Sequence, residues 1–281
     1  MCAIFFIPTR PPKKTLKSSI ALDDLLKSCF AGNSVQVLCN SVTPELDDDL
    51  AAYYIAEIKT DVDKAISLAQ ETLGQNNDIW MRERRKRFTG SICYELFTYS
   101  KNKSPSWEKK LNNIYNSTFQ GNKATEYGAN AEVLARNVYQ AKTGHFVLQS
   151  GLIVNPAAPW FGFSPDGIIM INGKPRILEI KCPVYGQFAP AKDIVKNLNF
   201  IYVNENGDYR LRSKHKFFGQ VQLGMAVLGA TDCELILFAT FDESYVSLLI
   251  PFDVKFITDM SKRLTDIYFT HMLPFLFKTK E

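Results

Sequence analysis

Histidine is scarce in this chain: His145, His215 and His271 are the only three in 281 residues, and they lie far apart. The six cysteines, Cys2, Cys29, Cys39, Cys93, Cys182 and Cys233, include no CxxC pair. That spacing gives no reason to expect a zinc cluster. Scattered thiols in a chain this long read instead as reduced, partly buried side chains of an intracellular protein, nuclear or cytoplasmic. No GxSxG elbow is present, so any catalysis is expected to rest on carboxylates, lysine and metal rather than on a serine–histidine pair. No apolar run approaches the roughly 18 residues needed to span a bilayer. The strongest, from Leu235 to Phe241, has the length of a strand and ends at Asp242, and no membrane partner is expected. The start, MCAIFFIPTRPPKK, has no basic stretch ahead of its short apolar run, so a secretory signal is not expected either. Internal repeats and low-complexity segments are also lacking.

What remains is an ordinary globular composition, 46% hydrophobic and 22% charged, with a net charge of +4. That charge favours an anionic partner only weakly. The length fits one large domain, or a domain with an N-terminal extension. A short helix is expected from Ser19 to Phe30. A second runs from Leu50 to Ile58 behind the acidic Asp47, Asp48 and Asp49, whose charge suits a helix N-terminus better than a metal. An amphipathic helix over 61–74 ends at Gly74. The basic run Arg82 to Arg87 precedes an apolar helical pattern, and 101–120 reads as a polar loop with a short helix. Residues 126–143 are helical by period and stop at Gly144. After Gly144 the pattern turns to strands at Phe146–Val154, Gly167–Ile171 and Arg176–Ile180, with a tight turn at Asn172-Gly173. Residues 214–229 return to helix, Glu234–Thr240 and Tyr245–Ile250 are strands, and 254–277 is mostly helical. This order predicts an α/β or α+β layer fold, a mixed sheet flanked by helices.

The chemistry concentrates in Ser164-Pro165-Asp166-Gly167 and Glu179-Ile180-Lys181-Cys182-Pro183, with twelve residues between Asp166 and Glu179. In a strand, positions i and i+2 share a face, so Glu179 and Lys181 project together while Ile180 faces away. If the two strands pair through the Asn172-Gly173 turn, Asp166 comes alongside Glu179. Two carboxylates with the carbonyl of Ile180 suit a hard cation such as Mg²⁺, and Lys181 could orient a water for phosphodiester hydrolysis. An ExK triplet alone is usually a surface pair. Set in an apolar strand behind SPDG, its desolvation cost calls for a reason, and a metal site supplies one.

These motifs resemble the PD-(D/E)xK nuclease superfamily and, more narrowly, the YqaJ-type viral recombinase and lambda exonuclease family, over about Trp80 to Phe277. GANAEVLAR carries Glu132, PWFGFSPDG carries Asp166, LEIKCP carries Glu179 and Lys181, and FFGQVQLGM carries Gln220, with Gln222 the weaker candidate. Trp80, Arg84 and Thr89-Gly90-Ser91 resemble the family's WxxxRxxxxTAS motif.

The resemblance implies a restriction-endonuclease-like nuclease domain at 76–281 behind an N-terminal helical extension at 1–75. It implies catalytic residues Asp166, Glu179, Lys181, Glu132 and Gln220. Glu132, Asp166, Glu179 and the Ile180 carbonyl would hold Mg²⁺, with Mn²⁺ a substitute, and Arg84, Ser91 and Ser164 would hold a 5′-phosphate. The implied activity is 5′→3′ exonucleolysis of double-stranded DNA ends in recombination or repair. The implied partners are DNA, a recombination protein and further copies of the chain, by resemblance a ring trimer.

Departures fall at Gly90, Gln187 and Phe217, where the family has alanine, arginine and tyrosine; Lys192 is a candidate to replace the arginine. They bear on end binding more than on the metal site. Other readings are a structure-specific endonuclease of the same superfamily, a non-catalytic DNA-binding module, and an interaction protein working through its first 75 residues. Trp160 and Phe161 read as core rather than as base-stacking residues, Tyr185 lies at the rim, and His145 and His215 read as structural or DNA-facing.

Overall fold

The computed structural model of the chain describes residues 21–31, 38, 44–116 and 123–279. The N-terminal apolar run, the prolines Pro8, Pro11 and Pro12, and two cysteines, Cys2 and Cys39, lie outside them.

A short parallel pair, β1 (Phe88–Thr89) with β2 (Phe161–Gly162), stands apart from the four-stranded sheet at the centre: β3 (Gly167–Ile171), β4 (Lys174–Lys181), β7 (Asp232–Ala239) and β8 (Ser244–Pro251), side by side in that order. β3 and β4 are the antiparallel arms of a hairpin closed by Asn172 and Gly173, both at positive φ, the conformation that a tight two-residue turn requires. β4 then runs parallel to β7, and β7 turns back into β8. The crossover from β4 to β7 contains α9 (Lys216–Leu228), which ends on a left-handed Gly229. Between them lie a short helix α8 (Ala191–Ile194) and a small antiparallel pair, β5 (Ile201–Val203) with β6 (Tyr209–Leu211). The sequence pattern gave no sign of that pair.

One face of the sheet is covered by α7 (Lys123–Thr143), whose Ala135, Val138 and Tyr139 pack on Ile169, Leu178, Ile180 and Ile236. The other face supports the main core. There α9 and α10 (Val254–Ile267) meet α5 (Gly90–Tyr99), followed by a π-helical turn (Tyr268–Met272) and α11 (Leu273–Thr279). Trp160 and Phe161 are buried in this core, and the Trp160 indole N–H donates to Thr265 Oγ1 at 3.0 Å. Each such side chain taken out of water contributes on the order of 2 kcal/mol.

The N-terminal helices join the same core. α1 (Leu22–Ala31), α2 (Asp48–Glu57) and α3 (Val62–Glu71) contribute Leu25, Leu26, Leu50, Tyr54, Ile66 and Ala69. Asp47 caps α2, accepting from the Leu50 N–H at 2.9 Å, a structural role for that acid. α4 (Asp78–Arg85) is capped by Asn77, and α6 (Trp107–Tyr115) follows the polar loop.

The strand expected over Phe146–Val154 does not form. The segment makes only two isolated bridges, Leu148 to Ile168 and Ile153 to Phe163. Between them its backbone bonds to the end of α3: Gly151 N–H donates to the Ala69 carbonyl at 2.9 Å and Leu152 N–H to Thr72 Oγ1 at 2.8 Å. A continuous ladder would have to surrender those bonds. Among the described residues, no helix is long and apolar enough to cross a membrane.

Candidate active site

The hairpin register Gly167 to Leu178 places Asp166 beside Glu179. Asp166 Oδ2 accepts the Ile180 N–H at 2.6 Å, locking the SPDG loop to β4. The glycine after the aspartate is sterically required, because a Cβ there would lie 2.3 Å from Val147 Cγ1. Glu179 and Lys181 share a face, as their spacing demands, and Lys181 Nζ donates to Glu179 Oε1 at 2.5 Å. Gln220, on α9, donates to the same oxygen at 2.6 Å. Gln222 turns away and caps a loop, donating to the Pro251 carbonyl and accepting the Asp253 N–H. Glu132, on α7, is paired with Arg136 Nη2 at 2.5 Å.

The centre holds its acids under strain of charge. Glu179 is 0% exposed, and its Oε2 has no hydrogen-bond partner. Burial, with Asp166 adding repulsion, pushes Glu179 up to about 7 against the pull of Lys181. Burial and Asp166 likewise push Glu132 up to about 7, although Arg136 and Lys181 oppose them. Asp166 is raised by burial despite Lys181 and the Ile180 N–H. Burial alone would lower Lys181, but Glu179 and Asp166 outweigh it and hold the ammonium charged.

Three carboxyls therefore face one lysine and one arginine. Among the described residues, no three acidic, histidine or cysteine side chains are gathered close enough to hold one ion as they stand. The donor chemistry nevertheless fits a hard cation. An orphaned, buried carboxylate oxygen and three acids of raised pKa are what a divalent charge would relieve.

A second cluster forms around α4 and the start of α5. Arg84 Nη2 donates to Ser91 Oγ at 3.0 Å, Ser91 Oγ lies 3.0 Å from Thr89 Oγ1, and the Trp80 indole N–H donates to Ser164 Oγ at 3.0 Å. The Arg84 guanidinium stacks on Trp80, 4.2 Å from the ring centroid. Trp80 thus links Arg84 and Ser91 to Ser164, and Trp80, Arg84 and Ser91 line a cavity of about 350 Å³.

The basic run divides by role. Arg87 is buried, bonded to the Pro159 carbonyl and to Glu83, and Lys86 bridges Glu57 and Glu83. Arg82 and Arg85 stay exposed. Gly90, where the family has alanine, joins the two clusters. A Cβ there would meet Phe163 Cδ2 at 2.9 Å and Gln220 Cγ at 3.2 Å, so the loop bearing Thr89 and Ser91 rests directly on the glutamine of the acidic centre.

Phe217 lies under Lys181, whose Nζ is 4.8 Å from the ring centroid. Gln187 and Lys192 are exposed beyond the end of β4. His215 caps α9 through Nδ1, which accepts the Phe217 N–H at 3.2 Å, and packs on Phe200.

Two residues here were given no role by sequence. Arg136 holds Glu132, the Asp166 carbonyl at 3.0 Å and Gln149 Oε1 at 3.1 Å. Its spacing of four from Glu132 on one helix was the available signal. Gln75 donates to the Ser150 carbonyl at 2.9 Å and to the Pro165 carbonyl at 2.8 Å from a backbone at φ 52°. Nothing in its neighbourhood of sequence announced that reach.

A mixed sheet carrying acid, acid and lysine on its β3–β4 hairpin, wrapped by helices, is a restriction-endonuclease-like fold. Residues 79–234 match the YqaJ-like viral recombinase domain, and the chain belongs to that family. Among solved structures it is similar to the alkaline exonuclease LHK-Exo from Laribacter hongkongensis. The two are 22% identical, with a TM-score of 0.52, over 73% of this chain and 96% of that one. The same exonuclease in complex with dAMP matches at 21% identity and a TM-score of 0.51, over 73% and 98%. No curated protein matches the chain.

Proposed function

We propose that this chain is a divalent-metal-dependent deoxyribonuclease that degrades duplex DNA from its ends, 5′→3′, in recombination or repair. One observation carries the reading: a fully buried glutamate whose Oε1 is held by Lys181 and Gln220 while its Oε2 has no partner. A protein seeking only stability would not bury such an oxygen. Family membership and the likeness to an alkaline exonuclease support the same reading.

Asp166, Glu179, the Ile180 carbonyl and Glu132 are the residues that would hold Mg²⁺, with Mn²⁺ as substitute. The bound cation would neutralise phosphate charge and lower the pKa of its water. Lys181 and Gln220 hold Glu179 in one orientation. The Lys181 ammonium, kept charged by its neighbours, can orient the attacking water and offset charge on the scissile phosphate. Arg136 fixes Glu132 and the Asp166 backbone. Arg84, Ser91 and Ser164 supply donors for a terminal phosphate, with the arginine held in place by Trp80. No residue of the centre offers a base-reading pattern, so cleavage is independent of sequence.

The helices of residues 1–75 act as a brace for the nuclease domain at 76–281, through Thr72 and Gln75. A ring of copies and a recombination partner protein belong to the same reading and rest on the family alone.

The test is incubation of end-labelled linear duplex, 5′-phosphorylated or not, and of circular duplex, with Mg²⁺ or EDTA. Wild type should release label from the phosphorylated linear substrate only with Mg²⁺, and Lys181→Ala should not. Cleavage of the circle at the linear rate would favour an endonuclease. A Lys181→Ala protein as fast as wild type would sink the mechanism.

A further inference from the structure

Past Lys181 the chain leaves β4 through Pro183 into a single 3₁₀ turn, Val184–Gln187. This turn is rigidly built. Gly186 is buried so tightly on β7 that a Cβ would lie 3.0 Å from Ala239 Cα. Its N–H donates to the Pro183 carbonyl at 2.8 Å, its carbonyl accepts the Phe241 N–H at 2.9 Å, and the Phe188 N–H donates to the Tyr185 carbonyl at 3.0 Å.

Yet this fixed backbone holds aromatic rings out in water: Tyr185 is 73% exposed, Phe188 72% and Phe241 58%. β4 and β7 are parallel, so these rings stand beyond the carboxyl ends of the pair that carries Glu179 and Lys181. In open α/β sheets that edge is where ligands bind. The three rings offer on the order of 400 Å² of apolar surface, well short of the roughly 800 Å² per partner that a stable protein interface buries. They match the flat faces of unpaired bases, which stack on exposed aromatics whatever their sequence.

We propose that Tyr185 and Phe188, with Phe241 beside them, form a stacking platform for the unpaired bases of a single DNA strand at the rim of the acidic centre. The proposal rests on the nuclease reading for its substrate, but its test needs no catalysis. A fluorescein-labelled thymidine oligonucleotide of roughly 12 nucleotides is titrated with the full chain in EDTA and followed by anisotropy, with thermal melting as the control for folding.

Tyr185→Ala and Phe188→Ala should each weaken binding about tenfold and leave the melting temperature unchanged. The paired leucine variant should stay weak, and Tyr185→Phe with Phe188→Trp should bind as wild type does. Unchanged affinity in the double alanine variant, or wild-type protein that does not bind the strand, would overturn the platform. So would sedimentation in which wild type is an oligomer and the double alanine variant a monomer, since a second copy would then cover the rings. A wild type that binds the strand but releases no label from duplex with Mg²⁺ would retire the nuclease reading and leave the platform standing.

Discussion

Glu179 and Glu234 sit on adjacent strands of one sheet and are treated in opposite ways. The register pairs Leu178 with Glu234 and Glu179 with Leu235, so the two glutamates face opposite sides. On the α7 side, Glu234 accepts the Tyr139 hydroxyl at 2.8 Å through Oε2 and the Ser247 hydroxyl at 2.7 Å through Oε1, and Arg176 Nη1 stands 3.7 Å away. Both of its oxygens are used. On the α9 side, Glu179 is more deeply buried, two donors converge on one oxygen, and the other oxygen has none. A carboxylate kept for stability is fully partnered; under the proposed function, Glu179 is left short on the oxygen that would meet the metal. Buried charge alone does not separate the two, but the unsatisfied atom does.

The largest expected effect tests that contrast directly. Glu179→Gln should cost on the order of a thousandfold in nuclease rate, about 4 kcal/mol of barrier. It should also raise the metal-free melting temperature, because a neutral amide relieves the buried charge. Glu234→Ala should do the reverse. It strands the Tyr139 and Ser247 hydroxyls, while Arg176 keeps Asp232, at a cost of about 2 kcal/mol of stability, and leaves the rate within a few-fold of wild type. Label release and calorimetry on both variants decide. If Glu179→Gln melts lower than wild type, or if Glu234→Ala folds but is inactive, the two faces are not divided as described.

A pH titration sharpens the same comparison. Glu179, raised to about 7 by burial and Asp166, keeps its proton in the folded chain after the unfolded chain has lost it at the ordinary carboxylate value. Between that value and about 7 the folded state binds more protons, so metal-free stability should fall as pH rises, by on the order of 3 kcal/mol. Stability should level off above the folded pKa. Glu132, also near 7, adds to the fall in the same direction. Mg²⁺ should flatten the slope, and the nuclease rate should climb through the same window as the acids ionise. Melting curves across the range, with and without Mg²⁺, check the sign. A metal-free stability that rises with pH there would remove the electrostatic argument for the centre.

The contrast also marks how far the sequence could be read. The period-2 rule placed Glu179 and Lys181 on one face, and the Asn172-Gly173 turn set the register that brings Asp166 beside them; both follow from local backbone geometry. Gln220 over Gln222 came from resemblance, and the structure gives the reason: only Gln220 reaches Glu179 from α9. The strand expected at Phe146–Val154 failed because its backbone bonds to α3, some 80 residues earlier in sequence. No local pattern carries a contact of that kind. Sequence shows Arg82 to Arg87 only as a basic run, whereas in the fold Glu83 and the Pro159 carbonyl claim Arg87 and leave Arg84 for Ser91. Charge can be counted along a sequence, but its allotment between core and site depends on the fold.

Gln75 gives the smallest effect and the finest test of whether the Glu179 side of the sheet is held for chemistry. It adopts φ 52°, a left-handed backbone that costs a side-chain-bearing residue about 1 kcal/mol. From there it spans the Ser150 and Pro165 carbonyls, the latter immediately before Asp166. Gln75→Ala keeps the strain and loses both hydrogen bonds, so it should cost about 2 kcal/mol of stability. Gln75→Gly loses the bonds but sheds the strain, so it should be the more stable of the two by about 1 kcal/mol. The turnover rate should nevertheless drop by a similar few-fold in both, with KM little changed, because the loop bearing Asp166 loses the same brace. A brace serving stability alone would make rate follow melting temperature, and the glycine variant would then be the faster. Equal rates at unequal stability would mark Gln75 as a residue that positions the acid.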